Sequence, residues 1–399
     1  MNQKRSIISL SLVGLVAGAA ACASDELGTE EGFETWNDAN NPAFVDKNFV
    51  YDVAKLPVEG QTALTPIPAD YWATYRDAIN YRWDGTSAPS PAEKFGKAFG
   101  KAGVEAAVSR QHGIDAQAGS RKACKKDSDC TSLKDGSSCA MRRGKKSGYC
   151  IPTWWGLCHG WAPYAISEPA AVKPVKRNGV TFYPGDIEGL MTLVYSENLR
   201  VRFLSERCDE DEPKVADSGR IPDGECRDMN PGTLHILATN MLGIRKVGFV
   251  EDRTYDDEVW NQPVRGFRVT NAKNGKLLEI AKKDAVALVG LPAGSEYTYN
   301  KKAKRFFNVE LDLDYVSEAP PAHTSHVEEI DYYTNTDHYG YVIEADAKGK
   351  VIGGEWVGES REFHPDFAWW PTAKPSGTVA EGKIGYEEVR ALNEEAAKQ

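Results

Sequence analysis

Cys158 stands in the run Trp154-Trp155-Gly156-Leu157-Cys158-His159-Gly160-Trp161, with a turn signal at Gly156 and an apolar stretch behind it. A cysteine at the start of a helix meets the positive end of the peptide dipoles. That lowers the thiol pKa and places a backbone N–H beside any developing oxyanion. The chemistry such a thiol could do is nucleophilic acyl transfer, with the tryptophans keeping water out. Against this stands the fact that unpaired cysteine is among the most commonly buried residues.

The cysteine count isolates the same thiol. The chain has 8 cysteines. Cys22 belongs to the leader, and Cys124, Cys130, Cys139 and Cys150 lie in a Gly/Ser-rich basic stretch with no hydrophobic run able to form a core, so that stretch needs covalent staples. Of its three possible connectivities, 124–139 with 130–150 is preferred because it interlocks the two loops. Cys208 and Cys226 bracket a polar loop that a disulfide would order, a closure worth about 3 kcal/mol. Cys158 is left over.

A thiol nucleophile needs a base, and the base an orienting acid. Two pairs fit by spacing: His235 with Asp252, and His338 with Glu355. Both read as hairpins, the first running from Gly232 through a turn at Asn240 to Gly243 and back to Asp252. Spacing does not separate them. The apolar surroundings of His235 favour a neutral imidazole that needs a partner, so the assignment is Cys158 nucleophile, His235 base, Asp252 orienting acid. His159 is expected to point away, since neighbours on a helix do not share a face.

The elements that must hold these groups come from a 399-residue chain with 48 Lys+Arg, 58 Asp+Glu and 41% hydrophobic residues. That length allows more than one domain and a sizeable core. A net charge of −10 argues against a dedicated nucleic-acid binder, and no long apolar run follows the leader. Met1 to Ala21 reads as an export signal. The small residues before Cys22 resemble a lipobox, with Ala19 where Leu is usual, so Cys22 is expected to carry a lipid anchor to a membrane. The protein is placed outside the cytoplasm, secreted or on the outer surface of a bacterium. Residues 22–41 read as a spacer, and 42–120 as a helical region with helices at 69–81 and 92–110. A Cys-rich module follows at 121–151, then a catalytic domain at 152–375 and a terminal helix within 376–399. The fold class is α+β: a helix carrying Cys158 packed on an antiparallel sheet that holds base and acid.

Five blocks resemble the secreted elicitor transglutaminases of oomycetes and their bacterial relatives. The most specific is Val259-Trp260-Asn261-Gln262-Pro263-Val264-Arg265-Gly266-Phe267-Arg268-Val269, similar to the surface peptide that plant hosts detect. The others surround Cys158, Asn178 to Tyr195, His235, and Gly353 to Phe367. The resemblance implies a papain-like, transglutaminase-like core and protein-glutamine γ-glutamyltransferase activity on partners with accessible Gln and Lys. It puts the nucleophile on Cys158 and places His235 and Asp252 in matching blocks. It also implies dependence on calcium, although the residues themselves require no cofactor; the acidic loop Asp209-Glu210-Asp211-Glu212 is the candidate cation site, against a solvated loop. The rival readings are a papain-like cysteine protease and a non-catalytic surface-binding lipoprotein.

Overall fold

A computed structural model describes residues 36, 39–208, 229–253 and 258–398. In chain order, α1 (Pro42–Val45) and β1 (Glu59–Gln61) lead to α2 (Pro91–Phe99) and α3 (Val104–His112), then to the module strands β2 (Ala123–Cys124), β3 (Ser137–Ala140) and β4 (Gly148–Pro152). Next come α4 (Cys158–Ser167), β5 (Val175–Arg177), β6 (Val180–Phe182), α5 (Pro184–Tyr195), β7 (Val201–Leu204) and α6 (Pro231–Ala238). The rest is β8 (Phe249–Asp252), β9 (Asn261–Val269), β10 (Leu278–Ile280), α7 (Lys282–Leu288), β11 (Arg305–Val316), β12 (Thr334–Ala345), β13 (Val351–Trp356), β14 (Ala368–Pro371) and α8 (Tyr386–Ala397). Helices and strands are mixed as expected.

The centre is an antiparallel sheet in the order β13-β12-β11-β9-β8-β14-β7, with β1 added to β9 and β10 to β11. Side chains alternate across it. On β8, Phe249 joins the core formed with Leu234 and Leu237 of α6, whereas Val250 joins Ala162 of α4 and Trp369 of β14. The α4 side is called the near face here and the α6 side the far face. Asp252 shares the parity of Val250, and its cross-strand partner is Asn261, so both side chains belong to the near face.

Behind α4 lies α5, buried along its whole length. The two approach so closely at Gly160 that a β-carbon there would collide with the Thr192 carbonyl oxygen; only glycine fits. Trp161 is fully buried and donates its indole N–H to the Ile67 carbonyl at 2.8 Å. Its burial stabilises the α4–α5 packing by roughly 3 kcal/mol.

The stapled module is a three-stranded sheet, β2-β4-β3, closed by Cys124–Cys139 and Cys130–Cys150, the expected connectivity. Cys208 is disulfide-bonded; Cys226 and most of the loop between them lie outside the described residues, as do the leader and Cys22. The terminal helix is present as α8.

Three expectations are corrected. Residues 69–81 form two short 3-10 turns, Thr74–Arg76 and Ala78–Asn80, because Asp77 and Ala78 take left-handed backbone conformations that no α-helix accommodates. The helix read at 92–110 is two, parted by Gly100 and Gly103 at positive φ. The hairpin read from 232 to 252 is a helix, a π-turn and a strand: Asn230 caps α6, Pro231 occupies its first turn, and all eight residues of α6 are buried. A helix apolar on every side carries no period to distinguish it from a buried strand. Within residues 42–120, β1 joins the main sheet.

Candidate active site

Cys158 opens α4, as expected. Its loop is clasped by the segment before the 3-10 turns. Tyr71 donates its hydroxyl to the Thr153 carbonyl at 2.8 Å, Leu157 N–H reaches the Tyr71 carbonyl at 2.5 Å, and Thr74 N–H bonds the Trp155 carbonyl at 2.8 Å. Gly156 is required there, because a β-carbon would strike the Tyr71 ring and carbonyl. Neither Cys158 N–H nor His159 N–H has a backbone acceptor among the described residues, so the helix start presents two amides of the kind that stabilise an oxyanion.

The thiol is 8% exposed and forms part of the wall of a pocket of about 480 Å³ shared with Trp154, Trp155, Arg207, Val259 and Asn261. Cys158 is the free cysteine among the described residues. The Asn261 amide approaches its sulfur at 3.5 Å, and the Asn261 carbonyl oxygen accepts the Trp369 indole N–H at 2.7 Å. Trp369 thereby fixes which end of the amide faces sulfur. The Val259 carbonyl lies 3.8 Å from the sulfur.

Asp252 is the acid that the sheet brings to this place. Its carboxylate accepts the Trp260 N–H at 2.8 Å, and its backbone N–H and carbonyl are both tied to the segment just before β14, through Phe367 and Asp366. Its negative charge is felt at the thiol together with that of Glu318. Burial, foremost, and then these two anions push the Cys158 thiol up, against the Asn261 contact that pulls it down. The expected lowering by the helix start is outweighed, and the resting sulfur is a protonated thiol.

His235 is not brought to Cys158. It lies on α6, fully buried in the far-face core, with Nδ1 at 2.9 Å from the Tyr341 hydroxyl and Nε2 without a hydrogen-bond partner among the described residues. Burial drives its pKa down to about 4, so it is neutral at pH 7. The physical reason for this correction is the helix that replaces the expected strand: it carries His235 onto the face of the sheet opposite Asp252. The other pair fares no better. His338 is exposed and pairs with Asp312 at 2.7 Å, while Glu355 is buried on β13 opposite Val342. His159, expected to turn away, reaches the rim of the thiol pocket.

Asn261, Trp369 and Arg207 were missed. Asn261 lies in the most specific of the resemblance blocks, but Pro263 two residues on is a turn signal. Asn261 is instead the start of β9, an interior strand.

The calcium expectation finds no support among the described residues. The close group of metal-ligand side chains there is Cys124, Cys130 and Cys139, sulfurs already in disulfides, whereas calcium takes oxygen. Asp209 to Glu212 lie outside the described residues, and no chemical step is derived through a cation. No helix among the described residues is long and apolar enough to cross a membrane.

The family model described as Transglutaminase elicitor matches residues 39–399, a range that runs through the stapled module. A similar solved structure is the crystal structure of the GP42 transglutaminase from Phytophthora sojae, 39% identical with a TM-score of 0.76, covering 91% of this chain and 99% of that one. No curated protein matches the sequence.

Proposed function

Since the chain belongs to the transglutaminase elicitor family, we propose that it is a protein-glutamine γ-glutamyltransferase acting through Cys158, with Asp252 as the thiol's proton partner. The observation that carries this reading is a free, pocket-lining cysteine at a helix start, with Asp252 and Asn261 paired across two strands beside it.

The sulfur attacks the carboxamide carbon of a protein-bound Gln as its proton passes to the Asp252 carboxylate. The oxyanion forms against the Cys158 and His159 amides. Collapse expels ammonia, which takes the proton back from Asp252, and leaves a thioester. A Lys amine then attacks the thioester, the isopeptide forms, and the thiol regains its proton. A protonated resting thiol suits this sequence, because attack and deprotonation occur together and no free thiolate must persist. Asn261 holds the sulfur's orientation. Trp154 and Trp155, each half-buried at the pocket wall, restrict water at the thioester so that amine resolves it.

The same reading places a papain-like arrangement of nucleophile helix against sheet at the core, and an oxidising compartment outside the cytoplasm, supported by the two closed disulfides and the leader-like amino terminus. Lipid attachment at Cys22 belongs to this proposal.

The test is incorporation of a fluorescent primary amine into a glutamine-donor protein, with and without calcium. Amine uptake without backbone cleavage, abolished in Cys158→Ala, is the expected result. Cleavage without amine uptake would replace this reading with the protease.

A further inference from the structure

The module 121–151 carries nine Lys and Arg against three Asp. It therefore holds a net +6, while the remainder of the sequence stands at −16. Lys125, Lys126, Lys134, Arg143, Lys145 and Lys146 are exposed and take part in no ion pair among the described residues. Three of them, Arg143, Lys145 and Lys146, form the turn between β3 and β4. That turn is held by the Cys139 and Cys150 staples at its base, where the two residues face each other across the strands.

Beside this turn is a second pocket, of about 450 Å³, into which Arg76, Arg82, Arg142 and Arg143 contribute. Its acids are mostly engaged: Arg142 reaches both Asp77 and Asp115, and Arg82 pairs with Glu93, leaving Glu105 as the counter-charge in the wall. Arg76 has no ion pair among the described residues. Its guanidinium lies over the Tyr75 and Tyr81 rings at 5.2 and 5.0 Å, a pre-ordered cation facing an open cavity. The two pockets are joined through the chain, because Thr74 contributes to the thiol pocket and the next two residues to the arginine pocket. The module also touches the thiol pocket directly, with Arg121 stacked on Trp155 at 5.1 Å.

We propose that the arginine pocket and the basic β3–β4 turn form an extended subsite that binds the acidic flank of a polypeptide whose glutamine enters the Cys158 pocket. The occupant is an acidic protein segment, and charge complementarity selects it: an anionic chain leaving the thiol pocket past Thr74 meets unpaired cations, whereas the remainder of the sequence carries a net negative charge. This assignment rests on the acyl-transfer reading for the role of the glutamine, but its binding test does not.

The experiment uses the full chain as Cys158→Ala and measures fluorescence anisotropy of two labelled peptides, one with Glu residues flanking a single Gln and one with Ser in their place. The acidic peptide should bind and the neutral one should not. The triple variant R143Q/K145Q/K146Q and, separately, Arg76→Gln should each weaken binding about tenfold, and added salt should do the same. The turn residues are exposed, and retention of both disulfides by mass spectrometry checks the triple variant's fold. Equal binding of both peptides, or unchanged affinity in the folded triple variant, would overturn the proposal. So would binding to phosphatidylserine vesicles with none to the peptide. In the active chain, amine incorporation should show the acidic preference in KM rather than kcat; absence of any incorporation would remove the acyl-transfer reading and leave the anisotropy result to decide the subsite.

Discussion

The two faces of the central sheet hold equally buried titratable groups and put them to opposite use. On the near face, Cys158, Asp252 and Asn261 converge beside an open pocket, with Trp260, Trp369 and Val259 fixing their orientation. On the far face, His235 and Glu251 are fully buried. Burial pushes Glu251 well up and His235 down to about 4, and neither Glu251 carboxylate oxygen has a hydrogen-bond partner among the described residues. His235 is therefore uncharged at neutral pH, and in both groups burial disfavours the charged form. A displaced pKa marks burial; convergence on a reachable nucleophile marks chemistry.

Variants can break or sharpen that contrast. Cys158→Ala should abolish amine incorporation, a loss of at least about 10⁴-fold, because no other free thiol is present among the described residues to form the thioester. Asp252→Asn should reduce turnover about 10³-fold. It should at the same time make Cys158 more reactive towards iodoacetamide near pH 8, since removing an anion that holds the thiol up favours the thiolate. A carboxylate with a merely structural role would not produce these opposite changes. Asn261→Ala should cost about tenfold to a hundredfold, mainly in kcat, by freeing the sulfur's orientation.

The far face predicts the smallest effect on turnover and a distinct effect on stability. The folded-state pKa of His235 is depressed from 6.5 to about 4, so below pH 6.5 the unfolded chain binds a proton that the folded chain refuses. The contribution to stability is complete above pH 6.5 and is lost progressively as pH falls towards 4, by roughly 3 kcal/mol in all. His235→Gln, an uncharged substitute, should flatten that part of the stability profile in thermal melts between pH 7 and 4. A variant with the wild-type acid slope would show that His235 is not the group responsible.

Much of this architecture can be read from the residues alone. Cysteine parity exposed Cys158, the Gly156 turn placed it at a helix start, and the interlocking of the two loops favoured the pairing that closes the module. Asp252 was named by its spacing from His235 and by the resemblance, and it stands at the end of β8 although the hairpin that suggested it is absent. His235 could not be placed correctly, because a fully buried helix has no polar stripe and spacing in sequence does not say which face of a sheet a helix will cover. Asn261 was hidden for a related reason: Pro263 reads as a turn signal, yet it sits inside β9, where only the register with Asp252 reveals the pairing. The polarity of a site is local and legible; the side of the sheet on which it assembles is a tertiary fact.

The most direct test of the near-face assignment is single-turnover amine incorporation at pH 7.5 by Asp252→Asn and His235→Gln, each shown by circular dichroism to be folded. Proton transfer to Asp252 predicts a loss of about 10³-fold for the first and less than about threefold for the second. A folded His235→Gln variant as inactive as Asp252→Asn would contradict it, and would return the proton to the histidine across the sheet.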